Sequence, residues 1–374
     1  MSDLPPVPPS HAAPGGPQEE IRSLRDRLDA IPRLLLIRVR SLGDSILTLP
    51  LLQALHAWRP ALRLDLLIEA PFAPVFEKHP AVHELLVLQT KDTSARAGWS
   101  RSRALLEVRG RRYPAVLNLH GGTTSLLFSL ASGAPLRFGQ ERFRGSRWYN
   151  ARIPDSAGVW GKPKLHTVEH QLTFMKWLGL PIPSDPRPEL HVAPASRERI
   201  ARRLEKAGLR PGAFLLVQPT ATLATKQWPE ENFARLADSL CEKAGTPLVF
   251  SAGGWEAGVL DRIRANARRE HRYWADLALG DLFALIEACR LFVGNDSGPM
   301  HAAAALARPL VAIWGSSDHT AWHPWGSAYE SVRSDLPCMP CPGYTCAVYG
   351  RPRCILEIST ERVESACLRM LARY

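Results

Sequence analysis

The most constraining feature of the sequence is a β–α–β pattern in its last third. The apolar run 291–293 predicts a buried strand that ends at Gly294, and a run of small residues at 302–305 predicts a short helix. A second apolar strand is predicted at 310–314, directly after this helix. Parallel strands need such a crossover connection, so the pattern indicates an α/β fold with a parallel sheet.

The turn between this strand and its helix is suited to an anion. It consists of Asn295, Asp296, Ser297, Gly298 and Pro299. Either Asp296 or Ser297 can cap the helix, and Pro299 suits its first turn. The free N–H groups and partial positive charge of a helix start attract anions. His301 follows within the helix, where it is either a satisfied structural histidine or part of the same site.

The same alternation of short apolar strands and amphipathic stretches fills the rest of the chain in two sets. The first set of strands is predicted at 34–39, 64–68, 85–88, 115–119 and 136–139. The second set is predicted at 214–217, 248–250, near 273, at 291–293 and at 310–314. Between the sets, residues 181–194 contain five prolines and little periodicity, which is typical of a stiff linker.

We therefore expect two α/β domains that face each other across a cleft, the usual place for a ligand. A length of 374 residues suits two domains. The predicted boundaries are a disordered proline-rich tail at 1–18, a first domain at 19–185, a second domain at 195–358 and a terminal helix at 359–374. Within the first domain, one helix is predicted over 45–58.

The turn after the first strand, residues 38–44, limits the class of ligand. Gly43 is its only glycine, so the dinucleotide fingerprint G-x-G-x-x-G is missing and a classical NAD site is disfavoured. Asp44 follows at the start of the next helix. It either stabilises the helix dipole or acts as a catalytic base that faces the cleft.

The first turn of the second domain carries hydroxyl groups and a lysine. Thr220, Thr222 and Thr225 precede Lys226 there. Hydroxyls, backbone N–H groups and an ammonium are what a diphosphate needs, although a polar loop with a solvated lysine has the same composition. Glu256 follows another strand of this domain and either accepts hydrogen bonds from ribose hydroxyls or is a first-turn helix acid.

The net charge of +11, from 47 Lys and Arg against 36 Asp and Glu, favours anionic partners. No basic block or aromatic-interleaved basic helix is present, which disfavours nucleic acid. An arginine-rich loop that includes Arg142 and Arg144 either meets phosphate or anionic lipid, or is ordinary surface. No signal peptide or membrane span is visible, so we expect a soluble cytoplasmic protein that can be peripheral to a membrane.

Four of the seven cysteines form a late cluster with the spacing C-x2-C-x4-C-x7-C. They are Cys338, Cys341, Cys346 and Cys354. This spacing fits a structural zinc site or an iron–sulfur cluster, and also reduced thiols or a labile disulfide. A disulfide framework is disfavoured in a chain of this size without an export signal. The cluster is not expected to be catalytic.

Taken together, these turns resemble glycosyltransferase family 9, the heptosyltransferases. The matching residues are Arg38, Gly43, Asp44, Leu49 and Pro50, then Lys226, Trp228, Pro229 and Glu230, then Gly294 to Pro299 and His301. The resemblance covers about residues 32–370. It implies a GT-B fold, in which two Rossmann-like domains with parallel sheets face an interdomain cleft. The final helix of such folds often crosses back to the first domain, which would suit residues 360–371.

The resemblance also implies roles for the turns. Asp44 matches the catalytic aspartate of the family, and Lys226 matches its diphosphate contact. The implied nucleotide-sugar residues are Thr220, Thr222, Lys226, Glu256, Asp296, Ser297, Gly298 and His301. On the acceptor side, we predict that Arg38, His120, Arg142 and Arg144 contact the acceptor. Ser297 stands where the family more often has threonine, and Glu256 matches only loosely.

The implied activity is inverting transfer of a heptose from ADP-L-glycero-D-manno-heptose to a phosphorylated lipopolysaccharide core acceptor. No cofactor is required, and we expect a monomer at the cytoplasmic face of the inner membrane with no nucleic-acid partner. The alternatives are a GT-B transferase that uses another sugar nucleotide or a protein acceptor, and a non-catalytic nucleotide-binding or iron–sulfur protein.

Overall fold

The computed structural model describes residues 16–89, 95–341 and 343–374. It contains two parallel six-stranded sheets, one from each half of the chain, so the predicted α/β fold is confirmed. Most of the predicted tail at 1–18 lies outside the described residues, and the first helix already begins at Pro17.

The first sheet has the strand order β3-β2-β1-β4-β5-β6. Its strands are β1 (Arg33–Ile37), β2 (Arg63–Glu69), β3 (Glu84–Leu88), β4 (Ala115–Asn118), β5 (Leu136–Gln140) and β6 (Ala151–Ile153). Its helices are α1 (Pro17–Ala30), α2 (Leu42–Ile46), α3 (Leu49–Trp58), α4 (Ala95–Gly110), α5 (Thr123–Ala131), α6 (Ser156–Trp160) and α7 (Thr167–Trp177).

The second sheet repeats this arrangement in the order β12-β11-β10-β7-β8-β9. Its strands are β7 (Leu215–Gln218), β8 (Leu248–Ser251), β9 (Arg272–Trp274), β10 (Leu291–Asn295), β11 (Leu310–Trp314) and β12 (Tyr329–Arg333). Its helices are α8 (Pro194–Lys206), α9 (Glu230–Ala244), α10 (Ala257–Asn266), α11 (Leu279–Ala288), α12 (Gly298–Ala305), α13 (His319–Trp322), α14 (Arg353–Leu356) and α15 (Thr360–Arg373).

The strand order places two pairs of turns where ligands of open α/β sheets bind. Strand β1 lies beside β4, and β7 lies beside β10, so in each sheet the order reverses between these neighbours. The turns that leave their carboxyl ends therefore lie at the topological switch points. The central strands are apolar along their whole length because parallel sheets are buried on both faces, as in 34–37.

The predicted helix over 45–58 is two helices, α2 and α3. Pro50 lies in the first turn of α3, where the N–H group that proline lacks would have no partner inside the helix. The break after Ile46 lets α2 be a short helix of its own at the end of β1. Strands β6 and β12 were not predicted. Both are short edge strands that contain charged residues, so they lack the apolar run of a buried strand.

Within the described residues, the terminal helix packs on the second domain and not, as expected, on the first, so that expectation was wrong. Helix α15 lies against α9, β11 and β12 of the second domain. Its buried face consists of Val363, Ala366, Cys367 and Met370. These positions form one apolar stripe at helical spacing, and the stripe completes the apolar core on the outer face of the second sheet.

Candidate active site

The two domains touch through the starts of α2 and α12. A Cβ atom on Gly298 would lie 2.7 Å from Leu42 of α2, and a Cβ atom on Gly43 would lie 2.9 Å from Cδ2 of His301. A larger residue at either glycine would force the facing side chain or its helix to shift. The apolar core continues across this contact, from Ile46 in the first domain to residues of α12 in the second. The turns after β1 and β10 consequently face each other.

Asp44 lies in the first turn of α2, held from two sides. The Ser41 hydroxyl donates to Oδ2 of Asp44 at 3.0 Å, and Nη1 of Arg38 lies 3.6 Å from Oδ1. Arg38 itself is buried and donates from Nε to the hydroxyl of Thr48 at 3.2 Å. Burial lowers the pKa of Arg38, and the charge of Asp44 opposes that shift. The carboxylate is therefore fixed in direction, with its side chain still partly exposed.

A cavity of about 370 Å³ opens in front of this carboxylate, and we name it the Asp44 cavity. It is lined by Arg38, Asp44, Leu119, His120, Gly121, Gln140, Arg142, Phe143, Thr167, His170, Gln171, Ala321 and Trp322. Of the predicted acceptor residues, Arg38, His120 and Arg142 line it. Arg144 does not, because it lines a separate groove beside the start of α5. Burial and the charge of Arg38 lower the pKa of His120, which favours a neutral imidazole at neutral pH.

Lys226 lies across the cleft in a second cavity of about 480 Å³, which we name the Lys226 cavity. It is lined by Leu223, Lys226, Ser316, Ser317, Asp318, Trp322, Pro340, Cys341 and Gly343. The Lys226 ammonium forms an ion pair with Oδ2 of Asp296 at 2.9 Å, outside hydrogen-bond alignment. Both residues come from turns at the switch point of the second sheet, which the sequence predicted to act together.

The side chains at the start of α12 do not cap the helix as expected. Ser297 occupies the N-cap position, but its side chain makes no capping hydrogen bond, and Asp296 makes none either. The buried Ser297 hydroxyl has no partner within the described residues. The first N–H groups of α12 are consequently not satisfied by side chains, which leaves them available to an anion.

The threonines of the second-domain turn have different roles from one another. Thr220 is buried and donates to Oε2 of Glu256 at 3.0 Å, and Oε2 also accepts from the N–H of Gly253. Thr222 is exposed. Thr225 is buried and bonds to the hydroxyl of Ser316 at 2.9 Å. The prediction placed three hydroxyls on one diphosphate, but the structure does not bring them together.

His301 is buried between the charged groups of the two domains. Burial lowers its pKa to about 4, and the nearby carboxylates of Asp296 and Asp44 only partly oppose this shift. Its Nδ1 atom is buried and has no partner within the described residues. The imidazole is therefore neutral at physiological pH, and its ring seals the contact with Gly43.

The residues that connect the two cavities were not predicted from the sequence. Trp322 lines both of them. Its segment is held to the first domain by Thr167, which donates to the carbonyl of Ala321 at 2.9 Å, and by His166, whose Nε2 lies 2.9 Å from the carbonyl of His323. The sequence does contain a signal for this part of the site. The polar turn 315–318 follows strand β11 at the same edge of the sheet as the predicted turns.

The four late cysteines lie together in a third cavity, next to the Lys226 cavity and not open to Asp44. Elsewhere in the described chain, Asp65, His83 and Glu84 are close enough to share a metal ion. Asp65 and Glu84 are already paired with Arg33, and Glu84 also with Arg111, so these acids form a structural ion network.

Two Rossmann-like domains that face each other, with a carboxylate on one side and a lysine and helix start on the other, have the GT-B architecture of glycosyltransferases. A family model described as glycosyltransferase family 9 (heptosyltransferase) matches residues 101–350. The chain therefore belongs to glycosyltransferase family 9, and it is a glycosyltransferase.

Individual relatives agree with this membership. The chain is 26% identical over 298 residues to lipopolysaccharide heptosyltransferase 3 of Escherichia coli, covering 76% of this chain and 84% of the relative. It is 27% identical over 369 residues to lipopolysaccharide heptosyltransferase 1 of Pseudomonas aeruginosa, covering 91% and 98%. The solved structure of E. coli ADP-heptose lipopolysaccharide heptosyltransferase II superimposes with a TM-score of 0.71 at 24% identity, covering 91% of this chain and 99% of that one, which confirms the fold.

Across the residues that the structure describes, none of the helices is both long enough and apolar enough to cross a membrane.

Proposed function

We propose that the chain transfers a heptose from ADP-L-glycero-D-manno-heptose to a hydroxyl of a phosphorylated lipopolysaccharide core, with inversion at the anomeric carbon. The observation that carries this proposal is the pair of adjoining cavities, one with Asp44 and one with Lys226, which share Trp322. The names of the relatives support the choice of heptose and lipopolysaccharide.

In the proposed reaction, Asp44 takes the proton of the acceptor hydroxyl. The acceptor oxygen attacks the anomeric carbon from the face opposite the diphosphate, and the bond between that carbon and the diphosphate oxygen breaks. ADP leaves with the bonding electron pair. Ser41 and Arg38 hold the carboxylate in direction, so the base is positioned before the substrate arrives.

The departing diphosphate needs positive charge at the place where its own charge grows. We assign this task to Lys226 and to the uncapped N–H groups of α12, with Ser297 and Gly298 at the helix start. These groups take the part that a metal ion plays in other transferases, so we propose that the reaction requires no cofactor. Glu256, held by Thr220, is the proposed acceptor of ribose hydroxyl hydrogen bonds.

The acceptor side suits an anionic molecule. His120 and Arg142 line the Asp44 cavity, and Arg144 and Arg147 line the groove beside the start of α5. Trp148 is exposed next to them. We propose that this surface meets the phosphates of the core and the cytoplasmic face of the inner membrane, and that the protein acts there as a peripheral monomer.

The membrane part of the proposal has its own test. Arg144→Glu with Arg147→Glu should reduce cosedimentation with vesicles that contain phosphatidylglycerol, and low salt should increase the difference. Unchanged vesicle binding and unchanged salt dependence would refute the role of this loop. Vesicles of neutral phosphatidylcholine serve as the control.

A donor panel tests the reaction itself. Purified protein is given a heptose-deficient core acceptor with ADP-heptose, UDP-sugars or GDP-sugars, and nucleoside diphosphate release is measured together with acceptor-dependent product. We expect product only with ADP-heptose, and proton NMR of the product should show the inverted anomeric configuration. Transfer from a UDP- or GDP-sugar, or retention of configuration, would contradict the proposal.

A further inference from the structure

Trp322 belongs to both cavities of the active site. Among the described residues, it is the one that lines the Asp44 cavity and the Lys226 cavity alike. In the proposed reaction, the first cavity holds the base and the second holds the leaving diphosphate. The transferred sugar has to lie between them, because its anomeric carbon is bonded to the diphosphate before transfer and to the acceptor oxygen afterwards. Trp322 is therefore located where the sugar ring must be.

The indole of Trp322 also lies close to the charged groups of the two domains. Its ring centroid is 6.2 Å from that of His301. Burial lowers the pKa of this histidine, and the charges of Asp296, Asp44 and Lys226 also act on it. The imidazole is thus within electrostatic reach of carboxylates from both domains and of the lysine. The indole lies beside the point at which these groups converge.

The backbone that carries Trp322 is fixed before a substrate binds. The side chain of Asp318 caps α13 by accepting from the N–H of Thr320 at 2.9 Å. The N–H of Trp322 donates to the carbonyl of Asp318 at 3.2 Å. The two chain neighbours of Trp322 contact the start of α7 in the first domain through their carbonyl groups. A side chain on such a backbone is a preformed surface, which saves ordering entropy when a ligand binds.

An indole has the chemistry that suits one face of a sugar ring. The face of a pyranose carries C–H groups, while its hydroxyls lie around the edge, and an aromatic ring offers a large apolar area with a negatively polarised face. The transition state of glycosyl transfer resembles an oxocarbenium ion, with positive charge on the anomeric carbon and the ring oxygen. Positive charge above an indole is attracted to its face. Of the described residues that line the Lys226 cavity, Trp322 is the aromatic one.

We propose that the indole of Trp322 is the surface on which the transferred sugar ring stacks, with the anomeric carbon between Asp44 and the diphosphate. This inference rests on the proposed function and adds to it a residue that recognises the sugar. The contact exists before transfer, so Trp322 contributes to the affinity for the sugar nucleotide. The contact strengthens as positive charge grows on the ring, so Trp322 also contributes to kcat. The nucleoside diphosphate alone has no sugar to stack, and its affinity does not depend on the indole.

Binding of ADP and of ADP-heptose, each titrated into the full chain without acceptor, tests the contact. Trp322→Leu keeps an apolar side chain but removes the aromatic face, and Trp322→Phe keeps a smaller one. Trp322→Leu should weaken ADP-heptose binding by roughly 3- to 10-fold, the value of an aromatic contact, and leave ADP binding unchanged. Trp322→Phe should lose less. An equal loss for both ligands, or no loss for ADP-heptose, would overturn the proposal.

The rate and a matched variant separate stacking from packing. At saturating donor, kcat should fall by roughly 3- to 30-fold in Trp322→Leu and by less in Trp322→Phe, because only an aromatic face attracts the growing charge. Trp58 is also partly buried against the same apolar core but lines neither cavity. Trp58→Leu should lower the melting temperature and keep both kcat and the preference for ADP-heptose over ADP. Equal kcat in the two Trp322 variants would refute the role of the aromatic face.

A second measurement on the wild-type side chain avoids the risk that Trp322→Leu fails to fold. The 11 tryptophans are replaced by 5-fluorotryptophan, and fluorine NMR spectra are recorded with and without ligand. The resonance that is missing from Trp322→Phe identifies Trp322. We expect it to shift more with ADP-heptose than with ADP, because only the sugar covers the indole. The same shift with both ligands, or no shift with either, would contradict stacking.

Transfer by the wild-type chain separates this inference from the proposed function. It is measured first, with ADP-heptose and the heptose-deficient core acceptor. A wild-type chain that transfers no heptose would refute the proposed reaction. A wild-type chain that transfers heptose, with a Trp322→Leu variant that matches its kcat and its ADP-heptose affinity, would refute the stacking surface and leave the reaction standing.

Discussion

The ammonium of Lys226 lies 2.9 Å from Oδ2 of Asp296, so the two turns at the switch point of the second sheet are joined by an ion pair. The side chain of Asp296 is only 4% exposed, and that of Lys226 is 22% exposed. A buried carboxylate without its counter-charge is costly. Lys226 therefore has two separable tasks, because it neutralises Asp296 and, as proposed, binds the diphosphate.

These two tasks can be separated by mutation. Lys226→Met should lower the free energy of unfolding by about 1–3 kcal/mol, because it leaves a buried charge unpaired. It should also weaken ADP binding by roughly 10- to 100-fold, the value of a hydrogen bond to a charged group. Lys226→Met combined with Asp296→Asn should restore stability but not ADP affinity. Denaturant unfolding and titration calorimetry measure the two effects, and recovery of ADP affinity in the double variant would contradict the assignment.

Substitution of the glycine at the start of α12 should lower stability as much as substitution of the charged residues. Gly298→Ala would place a methyl group 2.7 Å from Leu42, so we expect a loss of about 1–3 kcal/mol from overpacking and a separation of the domains. Leu42→Ala in the same chain should recover part of the loss. Gly158→Ala is the control, since nothing lies within 4 Å of its added carbon. Thermal unfolding and small-angle scattering read both effects, and an unchanged Gly298→Ala would disprove the close contact.

The sequence predicted the fold well because parallel strands are buried on both faces. Runs such as 34–37 and 310–314 are apolar throughout, as expected for strands that are covered on both faces. Polar residues that directly follow a buried parallel strand must lie at the carboxyl edge of the sheet. Three turns could therefore be predicted to belong to a functional site. Asp44 and Asp296 were predicted in this way.

Contacts between distant segments could not be read from the sequence. Trp322 lines both cavities, and its segment is held in place by hydrogen bonds with Thr167 and His166. These two residues lie more than 150 residues earlier in the chain. The packing of α15 was predicted on the wrong domain, because an amphipathic stripe shows that a helix is buried but not which surface buries it. The local periodicity of a sequence identifies neither the surface that buries a helix nor the distant residues that hold a turn.

His166 makes the contact between the domains sensitive to acid. Its Nδ1 accepts from the N–H of Val168 at 3.1 Å, and its Nε2 lies 2.9 Å from the carbonyl of His323, so the folded chain holds the neutral ring. Burial lowers its pKa to about 3. The unfolded chain takes up the proton near the ordinary pKa of about 6.5, so the contribution to stability is complete above that pH. It falls by about 1.4 kcal/mol per pH unit as the pH drops from 6.5 toward 3.

His166→Asn checks this linkage. Asparagine can still cap α7 but does not titrate, so the variant should lose stability less steeply below pH 6.5. The free energy of unfolding is measured in denaturant at several pH values between 4 and 8. The comparison at pH 8 corrects for any loss of packing. If the two proteins have parallel pH profiles, His166 is not the titrating group.

Asp44 is the residue on which the proposed chemistry depends. Asp44→Asn keeps the shape of the side chain and its contact with Ser41 but removes the proton acceptor, so kcat should fall by roughly 10²- to 10⁴-fold. ADP affinity should stay the same, because Lys226 and α12, the proposed diphosphate contacts, lie on the other side of the cleft. Ser41→Ala is the matched comparison, since it keeps the base and loses only a hydrogen bond, and its loss of kcat should be far smaller. Transfer by Asp44→Asn at near wild-type rate with saturating donor would remove Asp44 from the role of base.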